Sequence, residues 1–151
     1  MAEKNQIAAI TEIGFKHAGT CCGISGQLKF DLFPDFKDDQ GIKHILYTFV
    51  LGTEVKYVGK SVRSLSKRMQ NYKTPGASQS TNVKVRRKIL GLGESNIVDI
   101  YVFPDLGLLG FGKFHLSIAA GLEDSLINEL KPAWNHGKKL IEASQMEVPV
   151  Q

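Results

Sequence analysis

Four residues in the middle of the chain carry side chains suited to chemistry at a phosphate: Tyr47, Tyr57, Arg68 and Tyr72. A guanidinium holds two oxygens at once through a planar fork, a geometry that lysine cannot reproduce. A phenol positions a water molecule, or takes its proton when neighbouring cations bring down a pKa that is ordinarily about 10. Arg68 and Tyr72 stand four apart, which puts them on one face of a helix. The block around them is purely cationic. Residues 55–93 hold 10 basic side chains and no acidic ones, whereas residues 1–54 hold 5 basic and 7 acidic, and residues 94–151 hold 4 and 8. A cationic block inside an otherwise acidic chain is the electrostatic footprint of a surface facing a polyanion, nucleic acid first. A solvated basic helix face would leave the same pattern.

These residues need a frame. The stretch ILYTFVL is rich in β-branched and aromatic residues, GTE offers a turn, and VKYVG resumes the strand texture, so a hairpin is predicted. A three-residue loop, Gly52-Thr53-Glu54, would set Leu51 opposite Val55 and Phe49 opposite Tyr57, with Tyr47 diagonal to Tyr57 on the same face. A two- or four-residue loop would separate the tyrosines onto opposite faces. In SVRSLSKRMQNYK, Ser61 or Ser64 can cap a helix on which Leu65, Met69 and Tyr72 recur at helical spacing. After the loop TPGASQST, Thr81 or Asn82 can cap a second basic helix, VKVRRKILG, with Lys84, Arg87 and Lys88 along one face. NIVDIYVFP reads as a strand, LGLLGFG as a Gly-rich connection, and KFHLSIA as a further strand. LEDSLINELK reads as a helix stopped by Pro132, with Glu123 on the face of Ile127 and Leu130 and therefore bordering the core. The first 44 residues, punctuated by glycines, read as an arm with one strand pair.

The 151 residues suffice for one domain, or one domain with an arm. With 42% hydrophobic and 23% charged residues and a net charge of +4, wholesale disorder is not expected. No apolar run reaches the length of a membrane helix and the start lacks a secretory h-region, so a cytoplasmic protein without a membrane partner is expected. Adjacent Cys21 and Cys22 do not suggest a disulfide framework and read as an inert pair. His17, His44, His115 and His136 show no metal-ligand spacing. The glycines of GLG and GLLGFG lack the context of nucleotide-binding loops.

Taken in order, these pieces resemble the GIY-YIG nuclease family. Ile45-Leu46-Tyr47 looks like the first motif, with Ile45 where the family usually has glycine, and Tyr57-Val58-Gly59 looks like the second. The helical arginine matches Arg68, nine residues after Gly59 where eight is usual, with Arg63 as the competing assignment. KRMQNY reproduces the family's Tyr or His four residues beyond the arginine, here Tyr72. LEDSLINELKPAWN aligns Glu123 with the family's metal ligand and Asn135 with its terminal asparagine. The resemblance covers residues 44–136, and within the family it is most similar to the small phage endonuclease II branch, where an N-terminal arm also precedes the hairpin.

The resemblance implies an α+β fold: a small, about three-stranded antiparallel central sheet flanked by helices, with an N-terminal arm over 1–43, a nuclease domain over 44–138 and a tail over 139–151. It implies a metal-dependent DNA endonuclease acting on double-stranded DNA. Hydrolysis of a phosphodiester needs an in-line water, an acceptor for its proton, and cations on the phosphoryl and leaving oxygens. Glu123 offers hard oxygen to one Mg²⁺ or Mn²⁺, which takes remaining ligands from water and the phosphate. Arg68 holds the phosphate, Tyr47 accepts the proton, and Tyr57 and Tyr72 position water and phosphate. Lys60, Arg63, Lys67, Lys73, Lys84, Arg87 and Lys88 are the expected DNA-contacting cations. One site cuts one strand, so a double-strand break takes two protomers or two successive events. The alternative is a nucleic-acid-binding module that keeps the fold without catalysis.

Overall fold

The structure is a computed structural model that describes residues 5–37, 44–76, 79–105 and 110–135. In chain order it runs α1 (Gln6–Glu12), β1 (Lys16–Ile24), β2 (Gln27–Leu32), β3 (His44–Leu51), β4 (Glu54–Ser61), α2 (Leu65–Lys73), α3 (Ser80–Gly91), β5 (Val98–Asp105), β6 (Gly110–Phe111), β7 (Phe114–His115) and α4 (Ile118–Leu130). The first five strands in chain order form one antiparallel sheet ordered β2-β1-β5-β3-β4. The α+β class is as expected, but the sheet has five strands where about three were expected. The two additional strands come from residues 16–32: β1 pairs with β5, Lys16 opposite Val102 and Cys21 opposite Val98, and β2 closes that side.

β3 lies between β5 and β4 and is buried on both faces, which is why its sequence is a nearly continuous apolar run, broken only by the buried Thr48, instead of an alternating one. One face, with Ile45, Tyr47, Phe49, Tyr57 and Ile100, packs against Leu65, Met69 and Tyr72 of α2 and Val85 and Ile89 of α3. The other, with Leu46, Val50, Val55 and Val58, packs against Ile10 of α1 and the apolar side of α4. The result is three layers, with helices on both sides of the sheet. Among the described residues no helix is long and apolar enough to cross a membrane.

The hairpin turn differs from its expected form and still yields the expected pairing. Leu51 faces Glu54 across a two-residue turn, Gly52-Thr53, in which Gly52 takes φ +67°. The register then shifts by one at Lys56, so Phe49 again faces Tyr57. A β-bulge inserts one residue and reverses the in/out alternation. It thereby restores to one face the tyrosines that the short turn alone would have separated.

Ser64, not Ser61, caps α2, accepting the Lys67 amide at 3.4 Å. In α3 neither Thr81 nor Asn82 is the cap, because the helix already begins at Ser80 and both lie inside its first turn. KFHLSIA does not extend the main sheet: Phe114–His115 pairs only with Gly110–Phe111, and α4 starts at Ile118 under a Ser117 cap. α4 ends on Lys131 in the left-handed conformation, φ +48°, ahead of Pro132.

Candidate active site

The aromatic residues of the hairpin meet α2 in one cluster. Ring centroids of Tyr47, Phe49, Tyr57 and Tyr72 lie 5.4 to 6.3 Å apart where they contact. The hydroxyls of Tyr47 and Tyr72 are 2.6 Å apart, one donating to the other. Arg68 extends over this pair, its guanidinium carbon 4.6 Å from the Tyr72 ring centroid and 5.6 Å from that of Tyr47. Its Nη2 donates to Tyr72 Oη at 3.3 Å and to Asn82 Oδ1 at 2.8 Å. Of the two arginines the sequence left open, Arg68 is the one bonded into the cluster. Arg63 is exposed in the turn after β4, where its backbone amide donates to Ser61 Oγ.

The glycine of Tyr57-Val58-Gly59 has a steric reason. Gly59 stands opposite Tyr47 across the ladder, and a Cβ there would lie 2.6 Å from the Tyr47 hydroxyl and 2.8 Å from the Tyr57 ring. Ile45, at the first motif's unusual position, is buried in the same core face.

Burial governs the phenols. Tyr47 is fully buried, and desolvation pushes its pKa far above 10, with the Arg68 charge and its hydrogen bonds pulling weakly the other way. Tyr72 is raised by burial and then by the charges its tyrosine neighbours would carry. Burial also raises Tyr57, Arg68 opposes it, and Glu123 adds to it. The lowering that a tyrosine base requires is therefore present as a force and outweighed, so in the free protein these phenols are neutral at pH 7.

Glu123 approaches from the α4 layer. Its Oε1 lies 3.7 Å from Lys60 Nζ, and its side chain is 20% exposed. Among the described residues no group of three or more His, Cys, Asp and Glu is placed to hold a metal. Asn135 has a structural task. Its Oδ1 accepts the Val58 amide at 2.7 Å and its Nδ2 donates to the Val58 carbonyl at 2.9 Å. The carboxamide thus takes the place of a strand next to β4, the edge of the sheet.

A cleft of about 580 Å³ opens beside the cluster, lined by Tyr57, Lys84, Arg87, Lys88, Trp134 and Asn135 among others. Three of the seven expected DNA-contacting cations are thus gathered on the exposed side of α3. Lys73 lines a separate, smaller hollow of about 190 Å³ between α2 and β2. Lys60, Arg63 and Lys67 are exposed outside both. Asn82 and Trp134 are among the residues that sequence reasoning did not place in the site. Asn82 offered only a cap signal, and Trp134 only a residue beside Asn135. Of the histidines, His17 bonds Asp99 at 3.0 Å and stacks on Tyr101, His44 and His115 lie 6.3 Å apart, and His136 falls outside the described residues.

No family model matches the chain, and no curated protein matches it. Solved structures do. The fold is similar to that of a mutant of bacteriophage T4 EndoII, with a TM-score of 0.61 at 19% identity over 87% of this chain and 98% of that one. It is also similar to the restriction endonuclease HPY188I in complex with product DNA, with a TM-score of 0.55 at 18% identity over 83% of this chain and 79% of that one.

Proposed function

We propose that this chain is a metal-dependent DNA endonuclease of the GIY-YIG type, hydrolysing phosphodiester bonds in double-stranded DNA. The observation that carries the reading is Arg68, a partly buried guanidinium held by the neutral hydroxyl of Tyr72 and by the neutral amide of Asn82, which sits on the helix whose Lys84, Arg87 and Lys88 wall a cleft. The fold shared with two endonucleases supports it.

Arg68 holds non-bridging phosphate oxygens. Both of its bonds here use Nη2, and Nε and Nη1 supply further donors. Tyr57 lines the cleft and orients the attacking water, Tyr72 fixes Arg68, and Tyr47 braces Tyr72 through its hydroxyl and would take the proton that the family resemblance assigns it only as a phenolate, after its own proton had left. Glu123 suits a single Mg²⁺ or Mn²⁺, because such ions are held by one or two carboxylates together with water and substrate phosphate. When bound, the ion supplies positive charge to the phosphoryl and leaving oxygens. Lys60 Nζ lies 3.7 Å from the same carboxylate. Asn135 keeps β4 in place, and through it Tyr57 and Gly59.

The test is cleavage of supercoiled plasmid with Mg²⁺ and with EDTA by the wild type, Glu123→Ala and Arg68→Ala. Metal-dependent cutting abolished by both substitutions is the expected result, and the ratio of nicked to linear product tells whether two protomers act together. Salt-sensitive DNA binding with no cutting in Mg²⁺ or Mn²⁺ would sink the reading. That outcome would leave a binding module, the reading favoured by the full burial of Tyr47.

A further inference from the structure

α3 turns one side to the core, and its buried positions are Asn82, Val85 and Ile89. Two are apolar, as a core face requires, and the third is a carboxamide only 4% exposed. An apolar residue at 82 would pack there without giving up hydration, whereas a buried amide must find a partner. The bond the structure shows for its Oδ1 runs to Arg68 Nη2 at 2.8 Å, the shorter of the two bonds that hold the guanidinium. This bond spans α2 and α3, and the residues flanking Asn82 on its helix, Thr81 and Val85, line the cleft. Acceptor type matters as much as position. A carboxylate at 82 would bind the guanidinium more tightly and cancel its charge, while an amide orients it and leaves the charge for a phosphate.

We infer that Asn82 is a positioning residue that aims the Arg68 guanidinium for a DNA phosphate through a neutral acceptor. The inference rests on the endonuclease reading and extends it to a residue that touches neither DNA nor metal.

The full chain is compared with Asn82→Asp, Asn82→Leu, Arg68→Ala and the double variant Asn82→Asp/Arg68→Ala. The readouts are plasmid cleavage in Mg²⁺, the salt dependence of duplex binding in EDTA, and the thermal midpoint. Asn82→Leu keeps the fold and cuts about 10²-fold more slowly, the scale of a displaced catalytic group. Asn82→Asp also slows cutting, and its plot of log K against log salt is shallower by about one, as expected when one phosphate-contacting charge is cancelled. The double variant adds no further loss of slope to Arg68→Ala. If Asn82→Asp binds with the wild-type slope and cuts at the wild-type rate, the inference is overturned. It is overturned equally if both Asn82 variants lose activity only in proportion to lost folded protein. The failure of the endonuclease reading looks different. The wild type would then not cut at all, while the slope comparison would still show whether residue 82 controls the charge of Arg68.

Discussion

The hydroxyl of Tyr47 occupies the space that a side chain on Gly59 would need, 2.6 Å from where its Cβ would be. Sequence motif and packing are here one constraint: the first tyrosine can be fully buried and bonded to Tyr72 only because the strand opposite carries no side chain at that point.

Gly59→Ala is therefore expected to destabilise the fold by about 1–3 kcal/mol, the cost of overpacking a filled core. It should also displace Tyr47 from Tyr72. Denaturant unfolding measures the first effect. Stability unchanged from wild type would show that the Tyr47 ring yields easily.

Arg68→Lys keeps a positive charge and loses the planar fork. Cleavage is expected to fall about 10²-fold or more, with a thermal midpoint close to wild type because the residue is only partly buried. Activity within a few fold of wild type would mean that Arg68 acts as a point charge alone.

The raised phenols make a prediction about alkaline pH. Tyr47 and Tyr72 hold their protons more tightly folded than unfolded, because burial disfavours the phenolate. Above the unfolded pKa of about 10, the native state binds more protons than the unfolded state, so stability falls as pH rises. Their contribution is complete below about pH 10 and is lost above it. Tyr47→Phe should flatten the decline between about pH 10 and 12, followed by chemical denaturation at fixed temperature. An unchanged slope would show that Tyr47 is not held neutral by the fold.

Asn135→Asp preserves shape and an acceptor for the Val58 amide but removes the donor to the Val58 carbonyl. A carboxylate facing a carbonyl loses a bond and adds repulsion, so a loss of about 1–3 kcal/mol is expected in urea unfolding. Asn135→Asp as stable as wild type would remove the clip from the list of interactions holding β4.

Much of this site was legible because its parts are local. The hairpin, the Ser64-capped helix and the spacing of Arg68 and Tyr72 each follow from short-range patterns. The turn length was not legible, because Gly52-Thr53-Glu54 is compatible with more than one loop and the correcting bulge at Lys56 has no composition of its own. β1 and β2 were underread for a different reason. KHAGTCCGI carries little side-chain mass, its alternation is broken by glycines and a bulge between His17 and Gly19, and it pairs with β5, which lies far along the chain. Asn82 was least legible of all. Its partner lies on another helix, across a loop, and nothing in the sequence distinguishes an amide that caps from one that holds an arginine.

The clip between Val58 and Asn135 joins positions 77 residues apart. During synthesis the hairpin and α2 leave the ribosome well before α4 and the turn that carries Asn135, at about 5–20 residues per second. Tyr57, Arg68, Glu123 and Asn135 can therefore come together only once residue 135 has been made. A chain that ends before α4 lacks both the carboxylate of Glu123 and the β4 clip. The proposed cutting activity is thus delayed until residue 135 has been made.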